Sequence, residues 1–233
     1  MMAQSKTAAV YETLKNELLD GVHKPEAKLA IDQVAERFGV NAGAVREALS
    51  RLTSDRLVVA QPQRGFTVAP VSAKDLLDLT SVRIEIETRC LRRSMELGTL
   101  EWEGRLLGTW HQLSRTQSAG EGAGNPEWAR LHARFHDDLI GACDSVWWLR
   151  LRESLFMQAE RYRRMMLPYV RATRDVEAEH REILDFTLSR NADKACQALA
   201  AHLNLTAEIL ITSGRADDMG APVCGVFREL LEA

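Results

Sequence analysis

The pattern of apolar and polar residues near the N-terminus predicts three short helices followed by a β-hairpin. The second and third helices are separated by Gly39-Val40-Asn41, where glycine accepts the positive φ of a tight turn without steric cost. The two β-type runs are joined by residues 61–65, a turn-rich segment with one cation. This order is typical of a winged helix-turn-helix, which places its recognition helix in the major groove of DNA. The predicted elements are helices over 7–19, 31–38 and 42–55 and β-type runs over 57–60 and 66–69.

After residue 70 the pattern becomes helical, and glycine-rich residues 118–125 are expected to form a flexible loop. The sequence therefore predicts a mainly α protein with a winged helix-turn-helix over 1–70 and an all-α helical bundle over 71–214. Residues 215–233 are expected to form a C-terminal tail with, at most, a short helix over 226–231. The helices predicted for the bundle are 72–97, 100–117, 126–143, 146–167, 170–189 and 192–213.

Composition restricts the cellular setting. The 233 residues are 45% hydrophobic and 27% charged, which is ordinary for a globular protein, and no apolar run approaches the roughly 18 residues of a membrane span. The N-terminal residues contain no apolar stretch, so we expect no signal peptide. The four cysteines lie far apart without a CxxC pair, which argues against a zinc ribbon or a disulfide framework and favours a cytoplasmic protein.

The net charge of −3 excludes a protein that binds nucleic acid through a large excess of cations. Residues 1–70 carry nine Lys and Arg against eight Asp and Glu, and the remaining chain carries 21 against 25. Such a balance predicts modest affinity per monomer, and therefore a homodimer on a palindromic operator in double-stranded DNA. The predicted DNA contacts lie on the recognition helix, at its start and at the wing tip: Asn41, Ala42, Gly43, Arg46, Arg51, Arg64 and Gly65.

Four histidines fall at positions that favour a metal site. His132 and His136 are spaced i, i+4 and therefore share one face of a predicted helix, while His180 and His202 lie on two other predicted helices. Burying four imidazoles without partners is costly, and a divalent transition metal would satisfy them together. The alternative, which spacing alone leaves open, is that each histidine is a hydrogen-bonded core residue.

Arg83 occupies a position where the helical stripe between Leu79 and Ile86 predicts an aliphatic residue. An arginine that faces a core usually has an anionic partner. That partner is either a carboxylate of the protein, for instance Glu85 or Glu87, or the carboxylate of a ligand held bidentately. Two further groups can line a pocket: the tandem aromatics Trp147-Trp148 and the basic run that contains Arg161. We predict that Arg83 and Arg161 bind an effector.

Two motifs of the N-terminal module resemble the DNA-binding domain of GntR-family bacterial transcription regulators. They are Val45-Arg46-Glu47-Ala48-Leu49 and Arg64-Gly65-Phe66-Thr67-Val68. The helical remainder resembles the ligand-binding FCD domain of the FadR-type branch, whose pocket arginine is matched by Arg83. Three histidines that bind metal in that domain are matched by Phe135-His136, Glu179-His180 and Ala201-His202-Leu203.

This chain departs from the family pattern at two places. The family's Ser-Arg-Thr-Pro is replaced by Asn41-Ala42-Gly43-Ala44, so a usual base-reading arginine is missing and the usual operator sequence is in doubt. The family's metal-binding aspartate is replaced by His132, and four imidazoles favour zinc or nickel and an anionic effector. Both departures resemble the carbon-starvation-induced regulator subgroup, which controls 4-aminobutyrate and glutarate-type catabolism.

The sequence therefore predicts a dimeric repressor whose helical domain binds a divalent transition metal and a small organic acid or dicarboxylate. A metal-dependent hydrolase with a DNA-binding appendage is the alternative, because histidine-rich metal sites with open positions hydrolyse substrates. No glutamate follows His132 or His136 as in an HExxH motif; Ala133 and Asp137 do, so no general base is placed. A structural nucleoid protein is disfavoured by the near-neutral charge.

Overall fold

The computed structural model describes residues 6–116, 125–166 and 174–214. Within these ranges the chain is mainly α, as the sequence predicts, with one small sheet near the N-terminus. In chain order the elements are α1 (Lys6–Leu19), β1 (Lys28–Leu29), α2 (Ile31–Phe38), α3 (Ala42–Ser54), β2 (Val58–Gln61), β3 (Gly65–Val68), α4 (Ala73–Leu97), α5 (Leu100–Arg115), α6 (Pro126–Leu139), α7 (Val146–Met166), α8 (Val176–Leu188) and α9 (Ala192–Gly214).

The sheet is a three-stranded antiparallel wing with the strand order β1-β3-β2. The predicted hairpin is present, and β2 pairs with β3 from Val58 opposite Val68 to Gln61 opposite Gly65. The strand β1 was not predicted from the sequence. It contains two residues, too few to show a period of two, and Leu29 pairs with Phe66 of β3.

Local backbone chemistry sets the helix-turn-helix. Gly39 ends α2 in the left-handed conformation at φ 59°, and its N–H bonds back to carbonyls of the last turn. Asn41 then begins α3 as its N-cap, since its side-chain oxygen accepts a hydrogen bond from the Ala44 N–H at 2.9 Å. The buried face of α3 joins α1, α2 and the strands in one apolar cluster, which includes Val10, Leu14, Leu18, Val45, Leu49, Leu52 and Val68.

Helices α4 to α9 share a second apolar core that contains Phe135, Trp102, Leu91 and Leu199. Two helices end two or more residues before the predicted residue. The helix α6 ends at Leu139, four residues before the predicted end, because Ile140 to Cys143 form a turn in which the Cys143 N–H bonds to the Ile140 carbonyl. The helix α5 ends at Arg115 instead of residue 117.

The chain divides into two compact units. Among the described residues, one unit contains 6–76, Gly214 and 157–166, the last ten residues of α7, and the other contains 77–116, 125–156 and 174–213. The end of α7 therefore packs within the unit that contains the helix-turn-helix, where Gln158 donates to the Asp55 carbonyl at 2.6 Å. The division of the sequence into 1–70, 71–214 and 215–233 stays a prediction.

Three predictions concern residues outside the described ranges: the loop over 118–125 except Asn125, the first residues of the helix over 170–189, and the tail with its helix over 226–231. The described part of that fifth bundle helix begins at Val176, after Asp175 caps it by accepting from the Ala178 N–H at 2.8 Å. Among the described helices, none is both long and apolar enough to cross a membrane.

Candidate functional sites

The solvent-facing side of α3 and the tip of the wing carry exposed cations. Arg46 lies on α3 and Arg64 lies in the turn between β2 and β3, and both side chains are exposed. The turn is closed by a hydrogen bond from the Arg64 N–H to the Gln61 carbonyl at 3.1 Å, and Gly65 adopts φ 91°. That Arg46 contacts a base edge and Arg64 a phosphate of the same duplex stays a prediction.

Three of the predicted DNA contacts also have structural roles. The side-chain oxygen of Asn41 caps α3, and a Cβ at Gly43 would lie 3.1 Å from that oxygen, so glycine leaves room for the cap. The guanidinium of Arg51 stacks on the ring of Tyr11 at 4.0 Å from its centroid. Ala42 is the first residue of α3 and is half-buried. Their roles in DNA binding stay predictions.

The four predicted histidines converge at one buried point in the helical unit. His132 and His136 come from α6, His180 from α8 and His202 from α9, and each is at most 7% exposed. One nitrogen from each ring lies within 4.8 Å of the corresponding nitrogen of every other ring. The closest pair of ring centroids, His180 and His202, is 4.6 Å apart.

These four nitrogens fit a transition metal after a contraction. Zinc–nitrogen bonds of about 2.1 Å hold two ligand atoms no further apart than about 4.2 Å. The separations extend to 4.8 Å, and tetrahedral coordination would bring the nitrogens to about 3.4 Å from one another, so the rings must move closer together to hold one ion. Nδ1 of His136 and Nε2 of His180 are buried and have no hydrogen-bond partner within the described ranges, so both are available to a metal.

Burial keeps three of the rings in the neutral state that binds metals. It lowers the pKa of His136 well below its usual value, and the neighbouring imidazoles lower it further. Burial also lowers the pKa of His180 and of His202, in the last case against the opposing effect of a hydrogen bond to Glu179. A neutral imidazole offers a lone pair without having to release a proton.

A partly buried ion pair between Arg174 and Glu179 orients His202. Its Nδ1 lies 2.9 Å from Glu179 Oε2 and 3.2 Å from Arg174 Nη2, so Nδ1 is engaged by this pair and Nε2 is left for a metal. Arg174 donates to Glu179 at 2.6 Å and to the His202 carbonyl at 3.0 Å. Burial opposes the charge on Glu179, but the hydrogen bonds from Arg174 and His202 lower its pKa to about 2. Sequence reasoning missed this support, although Glu179 directly precedes His180.

The structure gives Arg83 a partner within the protein. Its Nε and Nη2 both donate to Glu87 Oε1, at 2.9 and 2.7 Å, in a pair that is almost fully buried. This is one of the two alternatives that the sequence leaves open. A second arginine, Arg152 of α7, lies with its Nε 3.7 Å from Glu87 Oε2 and donates through Nη1 to Asp137.

Arg152 is a site residue that sequence reasoning missed. The available signal is its position on α7 between Trp148 at i−4 and Phe156 at i+4, where a cation is unexpected. Its guanidinium lies 4.2 Å from the ring centroid of Phe156, and that ring lies 6.4 Å from the ring of His136. Phe156 therefore links Arg152 to the histidine cluster.

Arg161 lies in the other compact unit and not among the histidines. It is 2% exposed, and its guanidinium donates to the carbonyl of Ala69 and, at 3.5 Å, to that of Pro70. Its predicted contact with an effector stays a prediction. Of the tandem aromatics, Trp147 is 71% exposed and Trp148 is half-buried.

Two family models match the chain, one over the helix-turn-helix and wing and the other over the helices that follow. The model described as "Bacterial regulatory proteins, gntR family" matches residues 6–68, which span α1 to β3. The model described as "FCD domain" matches residues 78–205, which span most of α4 and extend into α9.

Similar proteins over nearly the whole chain are regulators. The transcriptional regulator BphR of Paraburkholderia xenovorans is 36% identical, over 89% of this chain and 86% of that protein. The transcriptional repressor GlaR of Escherichia coli is 31% identical, over 83% of this chain and 90% of that protein. The solved structure of E. coli McbR/YncC superposes with a TM-score of 0.73 at 22% identity, covering 89% of this chain and 98% of that one.

Proposed function

Because the chain belongs to the GntR family of bacterial transcription regulators and carries an FCD domain, we propose that it is a metabolite-responsive repressor. Its winged helix-turn-helix binds a palindromic operator, and its helical unit binds a divalent metal and a small carboxylate. The ligand changes operator binding only in so far as it binds one arrangement of the protein more tightly than another. The observation that carries this proposal is the convergence of four buried histidines on one point.

Zinc is the metal that the ligand set favours, with nickel as the second choice. Both accept an all-imidazole site, whereas harder ions prefer carboxylates. His132, His136, His180 and His202 would hold the ion, and it would supply a positive charge that attracts an anionic effector. An aspartate at position 132 would offset part of that charge. Four neutral imidazoles do not offset it.

The operator is proposed to be read by α3, with Arg46 at a base edge and Arg64 at a phosphate. The protein is proposed to act as a homodimer, because a near-neutral DNA-binding module gains affinity by using two half-sites. Several large apolar side chains are exposed on α4 and α7 and would be available to a second copy of the chain. They are Leu77, Val82, Val146, Trp147 and Leu151.

Arg83 matches the pocket arginine of the family, and we propose that it contacts the effector. A carboxylate ligand would compete with Glu87 for its guanidinium, and lysine cannot reproduce the two-pronged geometry of that group. The variant Arg83→Lys should therefore keep its metal and its operator affinity but respond poorly to the effector.

Metal analysis and calorimetry test the proposal together. The purified full-length protein, reconstituted with zinc, should contain about one metal per chain and should bind at least one of succinate, glutarate, 2-hydroxyglutarate, citrate and 4-aminobutyrate. Absence of metal after reconstitution would return the histidines to a structural role, and absence of binding by the zinc-loaded protein would refute a carboxylate effector of this kind.

We further propose that the metal site is not catalytic. Hydrolysis needs a general base near the metal, and Asp137, the acidic residue that follows His136, is engaged by Arg152. Turnover of ester, amide or lactone substrates by the zinc-loaded protein, lost in His180→Ala, would contradict this.

A further inference from the structure

Arg152 is a buried cation whose hydrogen-bonding capacity is only partly used. It is 4% exposed, and its Nη1 donates to Asp137. Its Nε and Nη2 are buried and make no hydrogen bond within the described ranges. Buried donors are nearly always satisfied, and charged ones are the most costly to leave unpaired. Two unpaired donors on one guanidinium therefore point to a missing acceptor.

The two unpaired donors form one edge of the guanidinium. Nε–H and an N–H of Nη2 point in nearly the same direction, which is the geometry that holds both oxygens of a carboxylate. Other arginines of this protein use the same edge in this way. The pairs are Arg93 with Asp144, Arg130 with Glu127, and Arg174 with Glu179.

Glu87 does not satisfy this edge. Its Oε1 accepts both hydrogen bonds from Arg83, and its Oε2 lies 3.7 Å from Arg152 Nε, beyond hydrogen-bond distance. Asp137 is occupied at Nη1 on the other side of the guanidinium. Within the described part of the chain, the nearby carboxylates therefore leave the Nε/Nη2 edge of Arg152 without an acceptor.

The Arg152 guanidinium lies near the histidine cluster. The Phe156 ring centroid is 4.2 Å from the Arg152 guanidinium and 6.4 Å from the His136 ring centroid. The distance between the Arg152 guanidinium and the His136 ring is therefore no greater than the sum of these two distances. A molecule that contacts the metal ligands at one end can therefore reach Arg152 with the other if it is a short chain.

Charge indicates what kind of molecule fits. Among the groups beside the cluster, Arg83 is paired with Glu87 and Arg152 with Asp137. A divalent ion held by four neutral imidazoles adds two positive charges that the pairs do not offset. A dianion restores neutrality, whereas a monocarboxylate leaves one positive charge buried, and uncompensated buried charge is unfavourable.

We propose that the Nε/Nη2 edge of Arg152 binds one carboxylate of a short dicarboxylate, whose other carboxylate is held at the histidine cluster. This inference rests on the proposed function, because it assigns the class of effector and a residue that selects it. Arg152 then determines specificity: it distinguishes a dicarboxylate from a monocarboxylate of the same length.

Calorimetry on the zinc-loaded full-length protein tests the assignment with two matched ligand pairs, succinate against butyrate and glutarate against valerate. Within each pair the molecules have the same number of carbons and differ in the second carboxylate. Wild-type protein should bind one dicarboxylate at least tenfold more tightly than its monocarboxylate partner. Arg152→Lys keeps the charge but lacks the two-pronged edge, and it should lose at least tenfold in affinity for that dicarboxylate and less than twofold for the monocarboxylate.

Arg93→Lys is the control, because Arg93 holds Asp144 through the same edge at the surface. It should bind every ligand as the wild type does. Equal affinity of wild type and Arg152→Lys for the dicarboxylate would overturn the role of Arg152 and leave the proposed function standing. If Arg152→Lys fails to fold, the ligand pairs on the wild type decide: no preference for either dicarboxylate overturns the inference, and no binding of any of the four overturns the dicarboxylate effector as well.

Discussion

Replacing Glu87 with glutamine should destabilise the helical unit strongly. The Glu87 side chain is 1% exposed, and its carboxylate lies between the guanidinium groups of Arg83 and Arg152. Glutamine keeps the shape but removes the negative charge, so Arg83 loses its counter-ion and Arg152 loses one of the two carboxylates beside it. Loss of one partner from a buried ion pair typically costs about 3–5 kcal/mol, since the remaining charge stays buried without compensation.

The chain contains a matched control on the same helix. Glu85 and Arg89 form another pair at i, i+4 spacing on α4, but their N–O distance is 3.6 Å and their side chains are 70% and 59% exposed. Because water screens such a pair, Glu85→Gln should change the free energy of unfolding by less than about 1 kcal/mol. Because both pairs lie on α4 at the same spacing, a difference in stability between the two variants reports the effect of burial.

Thermal unfolding followed by calorimetry measures the difference. For a protein of this size, about 1 kcal/mol corresponds to about 2–4 °C, so Glu87→Gln should lower the melting temperature by on the order of 10 °C and Glu85→Gln by about 3 °C or less. Equal shifts in the two variants would show that the Glu87 carboxylate does not compensate buried arginine charge at this site.

The same pair predicts the direction of a pH effect. Burial alone would raise the pKa of Glu87, but attraction to Arg83 and Arg152 outweighs it and leaves the pKa below its usual value. A carboxyl with a lower pKa in the folded state binds fewer protons there than in the unfolded chain. Its contribution to stability is therefore present at neutral pH and is lost as the pH falls through the folded-state pKa. Glu87→Gln should remove that part of the acid sensitivity.

The remaining predictions concern the metal and the operator. His136→Ala should abolish the bound zinc, whereas His111→Ala, a change outside the cluster, should leave it, as elemental analysis after reconstitution would show; equal zinc in both would refute the site. Arg46→Ala should weaken specific operator binding by about 1–3 kcal/mol if it contacts a base, measured by fluorescence anisotropy. Arg64→Ala should weaken specific and non-specific duplexes alike and reduce the salt dependence of both; unchanged affinity in both arginine variants would contradict the docking of α3 and the wing.

The helix-turn-helix could be predicted closely from the sequence because its signals are local. The bounds of α2 agree with prediction at both ends, since Gly39 supplies the left-handed cap and Asn41 begins the next helix. By contrast, β1 was missed, because its two residues become a strand only through pairing with β3. The end of α6 was placed too late because Ile140 and Cys143 continue the apolar pattern and are buried in the turn that follows.

The candidate site could be predicted only in part. Helical spacing indicated the four histidines, the family resemblance indicated three of them, and the structure brings all four together. The partner of Arg83 was left open, since Glu87 at i+4 and a ligand carboxylate fit the sequence equally well. Arg152 was not found, because its closeness to Glu87 and Asp137 depends on how α7 packs against α4 and α6. Such convergence between helices has no local signal.

The response of operator binding to a dicarboxylate tests the central claim most directly. A duplex selected from a randomised library by the zinc-loaded protein would be titrated by fluorescence anisotropy with and without succinate or glutarate, using wild type and His180→Ala. We predict that one of these ligands changes the operator affinity of the wild type at least tenfold and that His180→Ala, which lacks a metal ligand, does not respond. No response in the wild type, or the same response in both proteins, would contradict an effector site built on the histidine cluster.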